Sequence, residues 1–80
     1  MRDIPWSKPV RIKMPYGMQR NVEGPVAALD LLNREWPARQ GRHYEAARSV
    51  CRAALERMTS AEAAREIFIS ASIEAAVAVH

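Results

Sequence analysis

The 80-residue sequence is sparing with the residues from which most chemical sites are built. A single cysteine, Cys51, excludes an internal disulfide framework and an all-cysteine metal cage, and it suits a reducing, cytosolic setting. His43 and His80 are the only histidines, and neither belongs to an H-E-x-x-H pattern, so no metal site is expected from spacing. Gly17, Gly24 and Gly41 stand far apart and form neither G-x-G-x-x-G nor a Walker loop. Long apolar runs are missing as well. The start, Met1 to Trp6, has no signal-peptide core, and the most apolar stretch, Ile67 to Val79, is too short for a bilayer and contains Glu74. The expectation is a soluble, unexported, cytoplasmic protein without cofactor, and no catalytic constellation argues for an enzyme.

What is present is the composition of a folded globule, 49% hydrophobic and 26% charged. Residues 1–80 make one small domain, and at this size only about 60 to 65% of the unfolded surface is buried, so added burial by self-association is the simplest gain. The net charge of +3 is unevenly spread. Residues 1–33 carry +2, residues 34–57 carry +3, and residues 58–80 carry −2, a basic front and middle with an acidic end. No run of adjacent bases marks a polyanion patch.

Period-2 alternation of Trp6, Val10, Ile12 and Met14, with Arg11 and Lys13 between, predicts a half-buried strand that Pro9 confines to an edge or to its own start. Pro15-Tyr16-Gly17 supplies a turn, and Met18 to Val22 reads as the return strand of a hairpin over residues 6–22. Such a hairpin needs apolar support beneath Val10, Ile12, Met18 and Val22. Gly24-Pro25 opens a first helix over 25–36 with the stripe Ala28, Leu29, Leu32 and Trp36. A second helix over 42–58 carries Tyr44, Ala47, Cys51, Ala54, Leu55 and Met58 on one face. Thr59-Ser60-Ala61-Glu62 resembles a capping box, with threonine as cap and glutamate reaching back, and a third helix is expected over 60–79. On that helix Glu62, Glu66, Ser70 and Glu74 share a polar stripe, and the apolar arc is roughly 200° wide at 100° per residue. The order predicts an α+β fold: an antiparallel hairpin followed by three helices packed on one face.

Trp6 with Pro9-Val10, then Trp36-Pro37, Gly41, Tyr44, Ala47, Cys51, Ala54-Leu55, Ala64-Arg65, Phe68 and Glu74-Ala75 are similar, in order and spacing, to a family of short proteins from rhizobia and their relatives, catalogued as domain of unknown function 982. The resemblance covers about Trp6 to Ala76. It implies no activity, substrate or cofactor, because the family has none established.

Cys51 and His43 lie eight residues apart on one helix, about 12 Å along its axis, too far for a nucleophile and its base. Cys51 reads as a small buried hydrophobe, and His43 as a solvated or capping side chain. Glu45 with Arg48, and Arg52 with Glu56, are expected as solvated helix pairs. Alternatively Arg42, Arg48 and Arg52 join Arg11, Lys13 and Arg20 of the hairpin in one phosphate-binding surface. Arg65 projects within the apolar arc of the third helix and needs a partner. It either lies along the core and lifts its head to water, Asp30 or Glu35, or holds an anion in a pocket beside Trp36 and Tyr44.

Three functions follow, in order of support. The first is a non-enzymatic interaction or regulatory module, a homodimer formed through Phe68, Ile69, Ile73 and Ala76 of the third helix. The second is a nucleic-acid-binding accessory protein using the basic hairpin and the second helix, and the third is a small anionic-ligand binder centred on Arg65.

Overall fold

The computed structural model describes residues 3–37 and 40–79. Strand β1 (Val10–Lys13) pairs antiparallel with β2 (Gln19–Val22), in a register that sets Val10 opposite Val22, Arg11 opposite Asn21, Ile12 opposite Arg20 and Lys13 opposite Gln19. The alternation of the sequence becomes a sheet with two unlike faces: Val10, Ile12, Met14 and Val22 are buried, while Arg11, Lys13, Gln19 and Asn21 face water. Met18, expected on the covered side, is 48% exposed near the turn. That turn holds Gly17 at φ +98° and is closed by hydrogen bonds between Met14 and Met18 and from the Gly17 N–H to the Met14 carbonyl.

Helices α1 (Pro25–Arg34), α2 (Arg42–Leu55) and α3 (Ala61–Glu74) follow. A third strand, β3 (Ala78–Val79), pairs antiparallel with β1, giving the sheet order β2-β1-β3. The third helix therefore stops short of the expected residue 79. The reason is local. Ala76 takes a left-handed φ of +59°, its N–H bonds to the Ile73 carbonyl, and the Val77 N–H bonds to the Ser72 carbonyl at 2.8 Å. This is a Schellman cap built without glycine. The second helix ends the same way before the expected residue 58, with Arg57 at φ +60° and the Met58 N–H on the Ala53 carbonyl. The first helix ends at Arg34, with Glu35 rather than Trp36 as its last capped residue.

Helix α3 is the centre of the molecule, touching the sheet on one flank and α2 on the other. Phe68 is fully buried on it, with the Trp6 ring 5.9 Å away and the Trp36 ring 5.5 Å away, both tilted. Tyr44, Ala47, Cys51 and Ala54 bring the single apolar face of α2 onto this core, and the Tyr44 hydroxyl donates to the Leu32 carbonyl at 3.1 Å. Among the described residues no helix is long and apolar enough to cross a membrane.

Candidate functional site

Helix N-termini leave backbone N–H groups without partners, and this fold satisfies two of the three sets with carboxylates from distant segments. Asp3 accepts from the Val26 and Ala27 N–H groups of α1 at 2.8 and 3.3 Å. Glu74, the last residue of α3, accepts from the His43 and Tyr44 N–H groups of α2 at 3.1 and 3.0 Å, with His43 Nδ1 3.2 Å from the same carboxylate. The His43 amide above all holds the Glu74 carboxyl below its ordinary value of 4.5. Each carboxylate needs a glycine beside it, since a Cβ at Gly24 would sit 2.6 Å from Asp3 Oδ1 and one at Gly41 would sit 2.6 Å from Glu74 Oε2. The third set uses Ser60, whose hydroxyl accepts from the Ala63 N–H. This corrects the expected capping box: the cap is Ser60, not Thr59, and Glu62 turns instead to the Ser7 backbone and hydroxyl.

The expected single basic surface does not form. Helix α3 stands between the sheet and α2, so Arg11 and Lys13 on the outer sheet face are remote from Arg48 and Arg52 on the outer side of α2. Arg11 and Arg20 line one shallow hollow with Gln19 and Asn21, whereas Arg48 and Arg52 line another with Glu45, Ser49 and Glu56. Arg20, on the covered face of the edge strand, is bound to Glu35 at 2.7 Å. Arg48 donates to Asn33 and lies over the Tyr44 ring, 5.6 Å from its centroid. Arg42 and Arg52 are exposed on α2.

Arg65 finds neither Asp30 nor Glu35. Its Nε donates to the Lys8 carbonyl at 2.8 Å, fastening α3 to the chain entering β1. Asp30 pairs with Arg34 within α1, and Glu35 with Arg20. Cys51 is buried, and burial, reinforced by the Asp3 charge, pushes its thiol up to about 12. Among the described residues no group of three or more His, Cys, Asp or Glu is placed to hold a metal ion.

The proposed third-helix interface is divided by the fold. Phe68 belongs to the core, at 0% exposure, and is unavailable to a partner. Ile69 is half-buried, Ala76 is exposed in the cap, and Ile73 is 69% exposed. On β3, which packs against α3, Val79 is 37% exposed and pairs with Ile12.

These features define a small α+β domain in which a hairpin and a terminal strand lie on a three-helix layer. The chain belongs to the family described as Protein of unknown function (DUF982), whose model matches residues 8–79. It is similar to an Agrobacterium tumefaciens protein solved by NMR as a structural-genomics target, with 42% sequence identity and a TM-score of 0.79, over 92% of this chain and 74% of that one. No curated protein matches.

Proposed function

We propose that this domain is a non-enzymatic interaction module that self-associates through the exposed end of α3. One observation carries the reading: Ile73, a large aliphatic side chain, is 69% exposed one helical turn from half-buried Ile69. A two-fold antiparallel pairing of α3 about its residue 71 sets Ile69 against Ile73 of the second copy. It sets Glu66 against Ala76, so no like charges meet, which supports an isologous contact. The strip is short, and the dimer belongs with small, reversible interfaces.

Sedimentation equilibrium from about 10 µM to about 1 mM is the test. The average mass rises above the 9.0 kDa monomer with concentration, and Ile73→Glu abolishes the rise while leaving the melting temperature unchanged. A constant monomer mass in the wild-type protein rejects the reading.

A further inference from the structure

We propose that the open face of the β1–β2 hairpin binds single-stranded nucleic acid, with Arg11 and Lys13 on successive phosphates and one base stacked on Tyr16. The face is separate from the α3 strip. It is the side of the sheet without helices, and its outward positions are Arg11 and Lys13 on β1, Asn21 and Gln19 directly opposite, and Ala78 on β3. No carboxylate stands at an outward position of the three strands; Glu23 follows β2 at the end away from the turn.

The fold engages most of its other arginines near the sheet: Arg20 with Glu35, and Arg65 with the Lys8 carbonyl. The Arg11 and Lys13 side chains have no hydrogen-bond or ion-pair partner among the described residues. Free arginine on α2 is different, since Arg52 shares its hollow with Glu45 and Glu56. Two positions apart on one strand, Arg11 and Lys13 are spaced by about 6.8 Å along the chain, a step suited to consecutive phosphates. Their row leads toward the turn, where Tyr16 is 61% exposed and offers a ring to a base. Asn21 and Gln19 present both donors and acceptors to sugar and base edges. A base displayed for stacking means an unpaired strand, because duplex bases are already stacked.

The test titrates a labelled 12-nucleotide single strand, its duplex and heparin against the full chain, on the wild type and three variants. Two phosphate contacts predict a salt slope of about −1.4, or an affinity loss of about sevenfold between about 50 and 200 mM salt. Arg11→Ser with Lys13→Ser lowers single-strand affinity at least about tenfold and flattens the slope, and Tyr16→Ala lowers it about tenfold. Arg52→Ser on α2 leaves it unchanged. All four positions are exposed, so circular dichroism and melting match the wild type. The proposal is overturned by absence of binding at about 50 mM salt, by equal binding of the hairpin variants, or by duplex or heparin binding as tightly as the single strand.

Discussion

Glu74 closes α3 and at the same time opens α2, its carboxylate receiving the His43 N–H at 3.1 Å and the Tyr44 N–H at 3.0 Å. The link joins residues 30 and 31 positions apart and ties the end of α3 to the start of α2, the two most extensively packed helices. It also makes that junction sensitive to acid. Because the folded-state pKa lies below the ordinary 4.5, the contribution of the charge is complete above 4.5 and is lost as pH falls through the lower folded value. Glu74→Gln is therefore less thermostable than wild type at neutral pH, and the difference closes under strongly acidic conditions. Thermal melts of both proteins across that range check the sign.

Glycine is present where the backbone needs it at Gly41 and missing where it would help at Ala76. Gly41 has φ +129° and lies against Glu74, so Gly41→Ala adds both backbone strain and a clash, at a cost of about 1–3 kcal/mol. Ala76→Gly removes the left-handed strain from the Schellman cap and stabilises by about 0.5–1 kcal/mol. Urea denaturation of the two single variants shows opposite shifts of the midpoint.

Phe68 and Ile73, both on α3, sit in opposite environments, one sealed in the core and the other 69% exposed. Phe68→Ala opens a cavity between Trp6 and Trp36 and costs about 3–5 kcal/mol, enough to unfold much of a domain this small. Ile73→Ala changes monomer stability by no more than about 0.5 kcal/mol. Chemical denaturation at about 1 µM protein separates them.

A thiol raised to about 12 is protonated near neutrality, and Cys51 is also shut from solvent. An aromatic disulfide reagent at pH 8 labels the native protein only as fast as it opens, and labels the denatured chain at once. Rapid native labelling would contradict the burial of Cys51 on α2.

Much of the architecture was readable from local pattern, because burial here follows simple periods. Val10, Ile12 and Met14 alternate with Arg11 and Lys13, and Tyr44, Ala47, Cys51 and Ala54 fall on one helical stripe. The helix ends were overrun because Arg57 and Ala76 take a conformation usually marked by glycine. Strand β3 was hidden because Ala78 and Val79 continue an apolar run and become a strand only by pairing with Ile12 and Lys13. The caps from Asp3 and Glu74 act across more than 20 residues, and the partner of Arg65 is a main-chain carbonyl, neither of which a local motif encodes. For the candidate interface, the width of the apolar arc on α3 was visible but not its coverage, since two tryptophans close over Phe68 and leave Ile73 outside.

The most direct measurement is an isotope-filtered NMR experiment on an equal mixture of carbon-13-labelled and unlabelled chains at high concentration. Self-association through α3 predicts intermolecular cross-peaks joining the methyl groups of Ile69 and Ile73. A spectrum without intermolecular cross-peaks, or with cross-peaks only from other surfaces, contradicts it.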